Sequence, residues 1–348
     1  MRYKLLGASG LRVSELCLGT MTFGTEWGWG ADKAASRGMF DAFVAAGGNF
    51  IDTANRYTEG TSERWLGEFV AADRERFVLA TKYTLFTRRD HPNASGNHRR
   101  NLVRSLEDSL KRLGTDYIDL YWLHAWDFTT PVEEVMRALD DMVRAGKVLY
   151  IGISDTPAWI VSRANMLAEL RGWSRFVALQ VEYSLAQRSA ERDLLPMARA
   201  LDLAVTPWAA LGRGLLSGKY NRPDYDPAEG GRAQMNGMTD EKRLALAAQV
   251  VAVAQDAGVS PAQVALAWLR QRPGVVIPIV GARTPEQLAD NLGAAELTLD
   301  VAQLTALDEA SRIELGFPHD FLAGDTVRNL TMGGYQDLID NHREGRSL

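Results

Sequence analysis

Short apolar runs recur along the chain, and each is followed by a turn and then a longer amphipathic segment. This alternation marks repeated βα units, in which buried parallel strands are covered by helices. Eight such runs are present, at 16–19, 49–52, 77–81, 118–124, 148–154, 177–182, 204–208 and 276–280. Helices are predicted between them. In 97–113, Leu102, Leu106, Leu110 and Leu113 return at helical spacing, and Gly114 stops the segment. Pro131 opens 132–145 and Gly146 closes it, while Glu133 and Glu134 suit its positive end.

Eight units predict an α/β fold, a (β/α)8 TIM barrel, as one domain over 1–348. Residues 3–5 and 11–14 flank the turn 7–10 and predict an N-terminal β-hairpin sealing the barrel bottom. Two helical stretches, 239–257 and 261–270, lie between the seventh and eighth strands, so one is an extra helix. A Pro/Gly-rich loop, 221–237, precedes them, and a C-terminal helix and tail follow the last unit.

Composition narrows the function classes. The chain has 348 residues, a net charge of -5 and a pI near 5.7, with no run of clustered Lys/Arg. Neither nucleic acid nor an anionic membrane is an expected partner, since both require a positive field. Cys17 is the one cysteine, which excludes an internal disulfide and a thiolate metal site and fits a reducing, cytoplasmic setting. No His/Glu cluster at ligand spacing points to a metal. Oligomeric state is left open by the sequence.

Chemistry is expected where strand ends converge. Asp52 ends the second run, Tyr57 follows in the loop, Lys82 ends the third and His124 the fourth. A free phenol, with a pKa near ~10, is a poor acid at neutral pH, and a neighbouring ammonium lowers that value. Lys82 is placed to supply the charge, and Asp52 to keep Lys82 protonated. His124 can orient and polarise a carbonyl oxygen.

The segments FIDTANRY, VLATK and LYWLH, in this order and on these strands, resemble the motifs of the aldo-keto reductase superfamily. The similarity spans nearly the whole chain. GTEWGWG, LHAWDFTTPVEEVM, GKVLYIGISDTPAW and TPWAALGRGLLSGKY look most like the branch of aryl-alcohol dehydrogenase-like enzymes and potassium-channel β-subunit relatives. The resemblance implies Asp52, Tyr57, Lys82 and His124 as the catalytic group. It also implies Ser154, Asp155 and Gln180 on a nicotinamide carboxamide, with Trp208 against the ring and Thr20, Met21 and Asp52 nearby. Asp155 stands where many members have asparagine, and an ionised aspartate cannot donate to the amide oxygen.

No G-x-G-x-x-G follows an early strand, so a dinucleotide needs a site other than a Rossmann domain. The loops after strands seven and eight suit phosphate binding. The first offers Ala209, Leu211, Gly214 and Lys219, and the second Gly281 and Arg283. Thr284, Pro285 and Gln287 predict a complete capping box at the following helix start. Arg283 suits the 2′-phosphate of NADP, with Gln287, Asp290 and Asn291 around the adenosine. NADPH is the expected cofactor, with NAD as the alternative.

Trp27, Trp29, Phe86 and Trp126 fall in loops on the catalytic face, where an aromatic mouth favours an aryl or hydrophobic carbonyl substrate. The loop 83–96 and the tail 317–336 are placed to cover it. The leading expectation is NADPH-dependent reduction of an aldehyde or ketone. Two alternatives stand: an NADP(H)-holding regulatory or sensor subunit, and a Schiff-base enzyme using Lys82.

Overall fold

The computed structural model describes residues 1–340 apart from 223 and 227–229. Those four positions of the loop 221–237, and the chain end 341–348, lie outside the described residues.

A hairpin comes first. β1 (Tyr3–Leu5) and β2 (Arg12–Ser14) pair antiparallel, with Tyr3 opposite Ser14 and Leu5 opposite Arg12. The turn is tucked against the barrel: at Gly7, φ is +55° and a Cβ would lie 2.2 Å from the Val177 carbonyl oxygen, so only glycine fits.

The barrel follows, from β3 (Cys17–Gly19), β4 (Phe50–Asp52), β5 (Val78–Tyr83), β6 (Ile118–Leu123), β7 (Val148–Ser154), β8 (Phe176–Glu182), β9 (Ala204–Trp208) and β10 (Ile279–Val280). All neighbours are parallel, in the order β10-β3-β4-β5-β6-β7-β8-β9. Closure between β9 and β10 runs through Val205, whose N–H donates to Val275 and whose carbonyl accepts from Ile277. The eighth run, expected over 276–280, is therefore a ladder of only two residues. Pro278 has no N–H to give, and the residues before it pair with the other neighbour.

Two hydrophobic layers result. Cys17, Phe50, Val78, Ala80, Leu120, Trp122, Ala178 and Ala204 fill the interior, with Leu6 and Val13 of the hairpin region plugging one end. Alternate residues, among them Leu18, Ile51, Leu79, Tyr121 and Leu179, face the helices.

Helices occupy the expected connections, with caps that explain their ends. His98 accepts from the Asn101 N–H at the start of Arg99–Leu113, and left-handed Gly114 ends that helix. Asp240 caps Glu241–Ala257, and Ser260 caps Pro261–Arg270. Within 221–237 the structure adds a short helix, Arg232–Met235, which the glycine content had hidden. After Val301–Ala310, the tail coils into His319–Ala323 and Asp325–Met332, neither of which buries a residue. Among the described residues no single helix is long and apolar enough to cross a membrane.

Candidate active site

The twofold periodicity of strands decides which residues reach the catalytic end. On β5, Val78 and Ala80 point inward, and Lys82 is next in that series. On β4 the interior Phe50 leads to Asp52, on β6 Leu120 and Trp122 lead to His124, and on β8 Ala178 leads to Gln180. These groups form the top interior layer of the barrel. Gly152 on β7 makes room below them, since a Cβ there would meet the Trp122 ring at 2.3 Å.

Tyr57 arrives from a loop. Thr58, Glu59 and Gly60 all have positive φ (46°, 54° and 83°), a tight left-handed path that turns the chain just after the phenol. The Thr58 hydroxyl donates to the Phe23 carbonyl at 2.6 Å and accepts from the Ser62 N–H, anchoring this strained turn.

The centre is a chain of contacts. Lys82 Nζ donates to Asp52 Oδ2 at 2.5 Å, to the Thr53 carbonyl at 2.8 Å and to the Tyr57 hydroxyl at 3.1 Å. Gln180 Nε2 donates to the other Asp52 oxygen at 3.1 Å. Burial alone would lower the Lys82 pKa, but Asp52 and then Tyr57 overcome it, and the ammonium is held above its ordinary value. The expected lowering of the Tyr57 pKa does not follow. Desolvation pushes the phenol up, Lys82 offsets only part of this, and Asp52 adds to the rise. His124, its ring 6.0 Å from that of Tyr57, is held well below its ordinary value by burial and then by Lys82.

From this centre a cleft of about 830 Å³ runs to the loops after β9 and β10. Asp52, Tyr57 and His124 line it, and Lys82 lies behind them, fully buried. Met21, Ser154, Asp155, Gln180 and Trp208 line its middle. Ala209, Leu211, Gly214, Lys219 and Gly281 follow, then Arg283, Gln287, Asp290 and Asn291. Thr20 is behind the wall, its hydroxyl donating to the Asp52 carbonyl. Only Trp27 of the four loop aromatics reaches the cleft. Trp29 packs at a tilt against Trp27, with ring centroids 5.6 Å apart, Phe86 sits under Arg56, and Trp126 packs on the outer core, while Leu85 lines the wall instead. The tail adds no residue to this lining.

Two contacts differ from expectation. Asp155 accepts from the Trp208 indole at 3.0 Å. The capping box at Pro285–Leu292 is half formed: Thr284 accepts from the Gln287 N–H, but the Gln287 side chain accepts from the N–H of Arg283, one residue earlier than a box requires.

Donor chemistry along the cleft fits a nicotinamide dinucleotide. The buried Ser154 hydroxyl has no partner among the described residues, as a carboxamide ligand would. At the far end, the Arg283 guanidinium has no ion-pair partner among them, and Arg232 lies on the same wall with only the Trp29 ring beneath it, at 5.4 Å. Arg232 is held below its ordinary pKa by desolvation and by the like charges of Arg283 and Arg213. Arg213 is paired with Glu182 at 3.2 Å, whereas Arg232 and Arg283 have no counter-charge among the described residues, an arrangement that provides for an anion. Arg232 and Arg213 were missed because they sit in a glycine-rich stretch without periodicity. The one available signal was their basic character, Arg213 within the loop 212–219 and Arg232 after it.

Comparison with known proteins shows the family. A family model described as the Aldo/keto reductase family matches residues 15–312. Norsolorinic acid reductase of Emericella nidulans is 43% identical over 324 residues, covering 90% of this chain and 82% of that protein. The aryl-alcohol dehydrogenase of Phanerodontia chrysosporium named for NADP(+) is 39% identical over 341 residues, covering 92% and 88%. The protein is an NAD(P)H-dependent oxidoreductase. The chain belongs to the aldo/keto reductase family.

Proposed function

We propose that the protein reduces an aryl or otherwise hydrophobic aldehyde or ketone to the alcohol with NADPH, Tyr57 serving as the proton donor. One observation carries this reading: Lys82 Nζ sits between Asp52 and the Tyr57 hydroxyl at the floor of a cleft whose other end gathers Arg232 and Arg283, neither with an ion-pair partner among the described residues. When bound, the cofactor supplies the hydride.

The chain's own residues do the rest. Tyr57 keeps its proton at neutral pH and offers it to the carbonyl oxygen as charge develops there. Lys82 stabilises the phenolate left behind, and Asp52 holds Lys82 in its charged form. That same pairing weighs against a Schiff-base role, which needs a neutral amine. His124, neutral at its depressed pKa, donates a hydrogen bond to the substrate oxygen. Ser154 and Gln180 face the carboxamide, Trp208 covers the ring, and Arg283 with Arg232 grips the 2′-phosphate. Trp27 and Leu85 give the mouth its apolar character. Of the two relatives above, one is named for norsolorinic acid and the other for aryl alcohols, and the second name is in line with such a mouth.

The test follows nicotinamide absorbance with purified protein across aryl aldehydes, diketones and keto-sugars. Turnover with NADPH that Tyr57→Phe abolishes, with cofactor still bound, is the expected result. Tight NADPH binding without oxidation by any carbonyl would replace this reading with a regulatory or sensor role.

A further inference from the structure

The wall beside Tyr57 carries one charge that the reduction chemistry leaves unused. Arg56, the residue before Tyr57, lines the cleft with its side chain only 17% exposed. Its guanidinium carbon lies 4.6 Å from the Phe86 ring centroid and 5.7 Å from that of Trp27, so two aromatic faces fix it in place. Trp27 in turn meets the Tyr57 ring edge-on at 6.4 Å. The cation and the phenol are thus no further apart than those two spans laid end to end, with an aromatic ring between them.

Glu59 organises this wall. It pairs with Arg56 Nη1 and accepts from the Trp27 indole at 3.2 Å. The left-handed backbone at Thr58 and Glu59 is what folds its carboxylate back over both. Its side chain is 53% exposed, so solvent screens this pair. Among the described residues the Arg56 guanidinium has the Glu59 ion pair at Nη1 and no other polar partner, and Nη1 itself is buried without a well-directed hydrogen bond. A guanidinium held against two aromatic rings, with N–H groups to spare at a cleft wall, matches an anionic oxygen.

We propose that Arg56 is a specificity-determining residue that selects aryl aldehydes or ketones bearing an anionic oxygen, a carboxylate or an ionised phenol, on the ring that carries the carbonyl. This rests on the reduction reading above. It adds a preference that an apolar mouth alone cannot produce, because the guanidinium N–H groups that Glu59 does not take go unmatched when the substituent is neutral.

The decisive measurement compares kcat/KM for 4-carboxybenzaldehyde and for its methyl ester with the NADPH-loaded enzyme. The wild type should favour the carboxylate roughly tenfold, chiefly through KM. Arg56→Gln should bring the ratio near one, and Arg56→Lys should restore part of it. NADPH affinity like that of the wild type shows that the variants are folded. No preference in the wild type, or the same preference in Arg56→Gln, would overturn the proposal.

If neither aldehyde turns over, the reduction reading has failed, and binding still decides the role of Arg56. Benzoate and benzamide are then titrated against the NADP-loaded protein by tryptophan fluorescence. Tighter benzoate binding that Arg56→Gln abolishes supports the proposal. Equal binding of the two refutes it.

Discussion

Trp208 donates its indole N–H to Asp155 at 3.0 Å, so the residue expected on the carboxamide holds the ring expected beside it. Arg213, tethered to Glu182 at 3.2 Å, lies 5.6 Å over the same ring. The edge and one face of Trp208 are therefore fixed from β7, β8 and the loop after β9. Asp155 itself sits at φ +40°, a conformation asparagine adopts at less cost than alanine.

Asp155→Asn keeps an acceptor for the indole and should leave the NADPH dissociation constant within about threefold of wild type. Asp155→Ala loses both the acceptor and the backbone preference and should weaken NADPH roughly tenfold, with a changed tryptophan emission. Fluorescence titration reads both. Wild-type affinity in Asp155→Ala would mean that the ring is held by packing alone.

Lys82 and Asp52 are a buried pair, 0% and 3% exposed in their side chains. Removing one partner strands the other's charge away from water, which typically costs about 3–5 kcal/mol. Lys82→Met should therefore lower stability by that order in urea unfolding, besides abolishing turnover. The double variant Lys82→Met with Asp52→Asn should recover most of the stability and none of the activity. An equally unstable double variant would show that the loss comes from packing.

The barrel and the placement of the candidate site residues were legible because both obey a period. Asp52, Lys82, His124 and Gln180 fall on strands whose inward positions can be counted from buried neighbours such as Phe50, Ala80, Trp122 and Ala178. Loop aromatics obey no period. Trp27 and Trp29 are two residues apart, yet one lines the cleft and the other packs behind it, because Arg232 from a distant loop sits over Trp29. Arg56 was hidden differently: its meaning depends on Glu59 and Phe86, and on left-handed residues that no side-chain pattern announces. The Tyr57 pKa was misjudged because desolvation is set by packing, which a motif does not display.

Arg232 and Arg283 share one wall and repel each other, so a phosphate monoester that only NADPH carries should engage both. Arg232→Ala and Arg283→Ala should each weaken NADPH about tenfold while leaving NADH within about twofold. Equal losses for both cofactors would place the arginines on the shared pyrophosphate.

His124 and Tyr57 set opposite limits on pH. Burial, and then Lys82, keeps the native imidazole neutral, whereas in the unfolded chain it takes a proton near pH ~6.5. Below that value the unfolded state binds more protons, so the His124 contribution to stability is complete above pH ~6.5 and declines as pH falls, by at most ~1.4 kcal/mol per unit. His124→Gln should flatten the stability profile between pH ~6.5 and ~5. Tyr57 is raised and is needed in its protonated form, so reduction should hold its rate from neutral pH up to the ordinary tyrosine range near ~10. A kcat that already falls between pH ~7 and ~8 would show that the phenol titrates far lower, with Lys82 outweighing burial.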